Sequence, residues 1–360
     1  MAGLFQVFFW LSRDNLVTLN ENSFEKIESL SYSPFEGYDK NLLSSEQIAY
    51  DVNLFENFTN KLRTYGTLEA YKILQSSKDS NLPIDLGLWI GGDLEANNLE
   101  IQRALEILKE YPNRIQSVIV GNEVLLRKEL EPLELYAYID FMKSHTKKPV
   151  TTAETWDIWE KNPQLASHVD FLTIHILPYW EKVPIERYNE FIIEKYSVVE
   201  ELFPNRKIVI GETGWPSHGY NNNSAIPSIK NQAQAIRGFV NLAHEKGWHY
   251  NIIEALDQPW KGYDEGNVGQ YWGIFTTDRA LKFQLAGEVE LNKYWLYQMI
   301  AAIIIGALLT LFGLKNQRVN ISHAFAYAIA AQGMAFGIVM AAIYPFVNYM
   351  NFGMWIMWGM

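Results

Sequence analysis

At 360 residues the chain has room for one large domain and an appendage. Its 41 acidic and 30 basic residues leave a net charge of −11, which argues against a nucleic-acid partner. With no cysteine there is no disulfide, no thiolate metal site and no cysteine nucleophile. The charge is unevenly spread: from Leu291 onward there is no Asp or Glu, and only Lys293, Lys315 and Arg318 carry charge. Removing those three cations puts the first 290 residues at −14, so that portion reads as soluble and acidic and the remainder as lipid-embedded.

Residues 1–27 form an N-terminal arm. Its apolar run, Gly3 to Leu11, is far shorter than the ~20 residues that span a bilayer, and it lacks the basic start and small-residue cleavage site of a signal peptide. The remnant of a start-transfer helix, an interfacial anchor and a packed arm all remain open for it. From residue 30 the chain alternates strand-like and helix-like segments. Strands are predicted at 30–35, 61–67, 84–90, 115–123, 149–155, 171–177, 207–212 and 250–256. Helices are predicted at 44–60, with Ser45 as N-cap, and at 68–77, 98–111, 133–147, 163–169, 185–202 and 230–246. Eight strands alternating with helices over about 250 residues fit a (β/α)8 TIM barrel, placed at residues 28–288. An open doubly wound sheet fits less well, because no glycine-rich phosphate loop follows the first strand.

Two of these strands end alike. Ser117-Val-Ile-Val-Gly-Asn-Glu123 and Ile208-Val-Ile-Gly-Glu212 each run β-branched into a glycine and deliver a glutamate at the strand end. A salt-bridged glutamate explains either one alone. Together, on the fourth and seventh strands of a closed barrel, they open onto the same C-terminal rim, where barrel enzymes keep their sites. Glycoside hydrolysis needs such a pair, one carboxyl as proton donor and one as nucleophile or base. There is no His-x-x-x-His or carboxylate cluster to suggest a metal, and no cofactor is expected.

Residues 292–360 form a membrane region with transmembrane helices at about 294–314 and 322–347, and a third, truncated apolar segment after them. The basic turn at 314–320 belongs on the cytoplasmic side, which leaves the barrel on the periplasmic or extracellular face of the plasma (inner) membrane.

Val120-Gly-Asn-Glu-Val-Leu-Leu-Arg127 and Ile210-Gly-Glu-Thr-Gly-Trp-Pro-Ser217 resemble the two signature motifs of glycoside hydrolase family 17, the β-1,3-glucanase family. Further similarity lies in Ser31-Tyr-Ser-Pro-Phe35, Arg63-Thr-Tyr-Gly66, Thr173 to Trp180 and Glu254 to Lys261. The resemblance covers about residues 28–285 and is nearest to the bacterial, membrane-attached branch described as β-glucan synthase-associated or exo-β-1,3-glucanase. It implies a retaining mechanism, with Glu123 as acid/base and Glu212 as nucleophile. The carboxyls are then expected about 5–5.5 Å apart, with the charge of Glu212 keeping Glu123 protonated.

Asn122 is placed to bond the sugar 2-hydroxyl. Tyr32, Tyr65 and Tyr179 at strand ends, and Trp215, Trp260 and Trp272, are candidate sugar contacts, each equally explained by packing. Lys261 matches a family lysine near the reducing-end side of the cleft. His175 reads as a hydrogen-bonded core residue, and Gln258 stands where many relatives carry glutamate. The expected activity is cleavage of β-1,3-glucan by a membrane-anchored enzyme, with the β-glucan and the lipid bilayer as partners. Transglycosylation beside a glucan synthase is the alternative, and a non-catalytic glucan-binding module that tethers a synthase is the reading from another class.

Overall fold

The computed structural model describes residues 2–11, 16–19, 25–292, 294–315 and 317–348. The chain divides into two compact units, one of residues 20–217 with 221–286 and one of residues 1–19 with 218–220 and 287–360.

The first unit is built on eight parallel strands: β1 (Leu30–Ser31), β2 (Leu62–Arg63), β3 (Ile84–Leu88), β4 (Ile115–Asn122), β5 (Val150–Thr155), β6 (Leu172–His175), β7 (Ile208–Thr213) and β8 (His249–Ile252). They close into a barrel in chain order, with β8 paired to β1. Strands covered on both faces read as continuous apolar runs, and every residue of β3 is buried. Seven α-helices follow the strands among the described residues: α1 (Ser45–Glu56), α2 (Thr67–Ser76), α3 (Leu94–Glu110), α4 (Pro132–His145), α5 (Trp156–Lys161), α6 (Tyr188–Leu202) and α7 (Ile229–Lys246). Within the barrel unit, β8 is followed among the described residues by two 3-10 turns, Pro259–Gly262 and Asn267–Tyr271.

Three of these helices, α1, α3 and α7, start where an N-cap side chain satisfies a free N–H group. Ser44, not Ser45, caps α1 by accepting from the Gln47 N–H. Asp93 accepts from Glu95 and Ala96, so α3 begins four residues earlier than its apolar periodicity suggests. The short α5 directly after β5 went unseen in the sequence. The strands β1 and β8 are shorter than their apolar runs, which continue into the rim loops.

Both strands that lead to the glutamates break register close to them. The β4–β5 ladder shifts between Ile119 and Asn122. The β7 ladders shift between Ile210 and Glu212 toward β6 and between Ile210 and Thr213 toward β8. Such irregularities turn a side chain away from strict alternation, here at the barrel rim.

In the other unit, a ten-residue helix, Ala2–Leu11, packs on α8 (Trp295–Leu314) and α9 (Ile321–Asn348). Trp10 is buried with Ala302 and Val339 and meets Phe336 edge to face, while the Gln6 side-chain N–H donates to the Gln332 carbonyl at 2.5 Å. Leu16–Thr18 pairs antiparallel with Glu288–Glu290. Trp295–Leu314 and Ile321–Ile343 are long and apolar enough to cross a membrane. The third apolar segment expected beyond 348 lies outside the described residues.

Candidate active site

At the end of β4 the backbone turns sharply: Gly121 has φ +84° and Glu123 φ +55°. Gly121 adopts this left-handed geometry freely, whereas Glu123 does so at a cost. The Glu123 N–H is held by the Ala153 carbonyl of β5 at 2.7 Å. The result is a glutamate that leaves the strand and turns into the mouth of the barrel, where it lines a cleft of about 680 Å³ together with Asn122 and Glu212.

Glu212 sits on β7 with 4% of its surface exposed. Its Oε1 accepts a hydrogen bond from the Tyr65 hydroxyl at 2.8 Å and lies 3.5 Å from Nη1 of Arg63. Arg63, a charged residue inside the barrel strand β2, is the hub of this region. It donates to the Gly211 carbonyl at 2.5 Å, to Asn122 Oδ1 at 2.7 Å, and to His175 Nε2 at 3.2 Å. Because guanidinium only donates, His175 Nε2 must accept, which assigns the ring proton to Nδ1. Nδ1–H then donates to Glu123 Oε1 at 2.7 Å. One fully buried imidazole thus links the arginine that neutralises Glu212 to the carboxyl of Glu123.

A side chain at Gly211 would disturb this hub. A Cβ there would lie 2.3 Å from Thr173 Cγ2 and 3.1 Å from both Arg63 Nη1 and His175 Cδ2. Gly211→Ala is expected to lower kcat/KM at least about tenfold and to cost about 1–3 kcal/mol of stability by overpacking. Kinetics and thermal unfolding of the variant measure both.

One carboxylate oxygen of Glu123, one of Glu212 and a ring nitrogen of His175 lie within 4.8 Å of one another. These three are the donor set a metal would use, but the Arg63 guanidinium already stands against Glu212 and His175 and repels a cation. Burial pushes the Glu123 carboxyl up. The hydrogen bond from His175 and the surrounding positive charges, Arg127 and Arg63 among them, outweigh it and hold the group below the usual carboxylate range. This direction is opposite to the effect expected from the charge of Glu212. The Tyr65 hydroxyl is held well above its ordinary range by burial and by the charge of Glu212, so it remains a donor.

The remaining sequence candidates divide. Tyr65, Asn122, Trp260, Lys261 and Trp272 line the cleft. Lys261 donates to Glu254 at 2.8 Å; burial draws its pKa down, but the carboxylates of Glu254 and Glu265 outweigh this and keep it an ammonium. Tyr32, Tyr179 and Trp215 are not among the cleft-lining residues. Tyr32 turns toward the helix layer and donates to Asp51 of α1 at 2.9 Å. Tyr179 and Trp215 are wholly buried against each other, with Tyr179 also edge-on to Trp180 and Trp272. They support the cleft wall from behind. Sequence reasoning missed Trp89, Trp156 and Trp180, which do line the cleft, with Trp180 stacked on Trp272 at 6.0 Å. It also gave Arg63 no role, although a charge inside a buried strand was itself a signal.

An eight-stranded parallel barrel that brings two glutamates together beneath an aromatic, sugar-sized cleft at the C-terminal ends of its strands is the architecture of a glycoside hydrolase or transglycosylase. The family model of the BtgE/BtgC glycoside hydrolase domain matches residues 29–273, and the chain belongs to that family, within glycoside hydrolase family 17. A glucan 1,3-beta-glucosidase of Schizosaccharomyces pombe is 27% identical over 255 residues, covering 65% of this chain and 79% of the relative. The btgC protein of Aspergillus niger is longer: it is 28% identical over 276 residues, which cover 66% of this chain and 40% of the relative. Among solved structures, an active-site mutant of Rhizomucor miehei beta-1,3-glucanosyltransferase in complex with laminaritriose superposes with a TM-score of 0.65 at 25% identity, covering 71% of this chain and 95% of that one.

Proposed function

We propose that the chain is a membrane-held enzyme that cleaves β-1,3-glucosidic bonds with retention of configuration. The observation that carries this reading is that one carboxylate oxygen of Glu123 lies within 4.8 Å of one of Glu212. Retaining enzymes hold their carboxyls about 5–5.5 Å apart, and inverting enzymes about 6.5–9.5 Å apart to admit a water. Tyr65 and Arg63 hold Glu212 Oε1, leaving Oε2 to attack the anomeric carbon. As the glycosidic C–O bond breaks, the proton of Glu123 passes to the departing oxygen. In the second step Glu123 takes a proton from the incoming hydroxyl, whose oxygen bonds to the anomeric carbon as the bond between the sugar and Glu212 breaks. Glu123 must first be protonated. A bound sugar expels water from the cleft and strengthens burial, the largest influence raising this group. Asn122 Oδ1 is occupied by Arg63, which leaves the amide N–H groups to meet a sugar hydroxyl.

A β-1,3-glucan substrate is supported by the names of the Schizosaccharomyces and Rhizomucor relatives and by the laminaritriose bound to the latter. Membrane attachment is supported by the two apolar helices, and the barrel's location outside the cytoplasm by Lys315 and Arg318 in the turn between them. Transglycosylation is the second reading, favoured by the tryptophans of the cleft wall, Trp156, Trp180 and Trp272, which offer an acceptor sugar stacking surfaces that water does not need. Association with a glucan synthase belongs to that reading.

Mass analysis of products from laminarihexaose and the detergent-solubilised chain tests the proposal. Shorter oligosaccharides alone are the result of hydrolysis, and longer ones the result of transfer. Binding without any change in chain length would leave only a glucan-binding module and overturn the reading.

A further inference from the structure

Glu154, at the end of β5, is fully buried, and neither step described above uses it. An isolated carboxylate in such a place is costly unless hydrogen bonds compensate for lost water. Its bonds are specific. Oε1 accepts the N–H of Leu125 at 2.8 Å, and Oε2 accepts the N–H of Leu126 at 3.3 Å. These are the second and third residues after Glu123, within a turn closed by the Arg127 N–H on the Glu123 carbonyl at 2.8 Å. With the bond from the Glu123 N–H to the Ala153 carbonyl, two consecutive residues of β5 hold the backbone on both sides of Glu123.

Here each N–H meets its own oxygen, and replacing one of those oxygens by an amide NH2 would turn that position into a donor facing a donor. The Leu125 and Leu126 bonds favour the ionised form against burial, which pushes the group up to about 7, with the charge of Glu123 adding to the rise. Arg127, whose guanidinium donates to the Asn122 carbonyl and pairs with Glu129, lies in the same field and opposes that rise.

We propose that Glu154 is a positioning residue for the acid/base: by fixing the turn after Glu123 it holds that residue in its left-handed backbone conformation and sets where its carboxyl meets the leaving oxygen. This inference rests on the acid/base reading of Glu123. A positioning defect of this kind weakens proton donation selectively, so its signature is the dependence of rate on the leaving group.

The test compares Glu154→Gln and Glu154→Ala with the unchanged full-length chain in detergent micelles. The substrates are laminaritetraose and aryl β-laminaribiosides ranging from phenyl to 2,4-dinitrophenyl. The expected result is a fall in kcat/KM of at least about tenfold for laminaritetraose and the phenyl glycoside, and about threefold or less for the dinitrophenyl glycoside, which leaves without a proton. An equal loss on all substrates, or no loss on laminaritetraose, would overturn the proposal. A Glu123→Ala control separates the two readings: if it too retains full rate on poor leaving groups, the acid assignment fails rather than the role of Glu154. Should neither Glu154 variant fold, amide hydrogen exchange of the unchanged protein decides. The Leu125 and Leu126 amides are expected to be as protected as those of β5, and free exchange at both would contradict the proposal.

Discussion

Glu212→Gln is expected to lower kcat on laminari-oligosaccharides by about 10,000-fold while the barrel stays folded. The amide matches the carboxylate in shape, and its oxygen can still accept from the Tyr65 hydroxyl that now lies 2.8 Å from Oε1. What it lacks is the negative charge that makes a carboxylate oxygen nucleophilic enough to bond the anomeric carbon. Arg63 loses its anionic neighbour, but it keeps the Gly211 carbonyl and Asn122 as acceptors, so unfolding is not the expected outcome. Steady-state kinetics with thermal unfolding of the same preparation separates loss of chemistry from loss of fold. Residual activity within about tenfold of the parent would remove Glu212 from the nucleophile's role.

The second large effect is at Glu123, and it differs in kind. Glu123→Ala removes a proton donor while leaving the nucleophile in place, so unactivated glucan is expected to lose about 100- to 10,000-fold in rate. A dinitrophenyl glycoside needs no proton to leave and should still form the glycosyl-enzyme, which then persists because no base activates water. Azide, which needs no base, is expected to restore turnover and to appear as a β-glycosyl azide. The vacated space lies beside His175 Nδ1, which loses the acceptor it now has at 2.7 Å. Absence of azide rescue, with the Glu212 variant inactive as above, would show that another group serves as acid/base.

The broad architecture was legible because a barrel strand buried on both faces has no need of alternation and stands out by its apolar stretch, Leu86 to Leu88 in β3 and Val118 to Val120 in β4. The glutamates were legible because each ends such a run beside a glycine. Side-chain direction at the rim was not. Tyr179 and Trp180 are adjacent, yet one is wholly buried behind the wall and the other lines the cleft. Tyr32 follows the two-residue strand β1, too short a pattern to say whether its ring faces the cleft or α1. His175 was read correctly as buried and hydrogen-bonded, but its partners, Glu123 and Arg63, come from other strands that only the closed barrel brings together. The groups that draw the Glu123 carboxyl down were hidden for the same reason, since His175, Arg127 and Arg63 reach it from three separate segments.

The spacing of the two glutamates carries the whole account, and the stereochemistry of the first product reports on it directly. Proton NMR of laminari-oligosaccharide cleavage, followed from the first minutes before mutarotation, is predicted to show the β-anomer appearing first and the α-anomer growing in later. Initial appearance of the α-anomer would mean that a water, not Glu212, attacks the sugar, and would contradict the mechanism derived from this site.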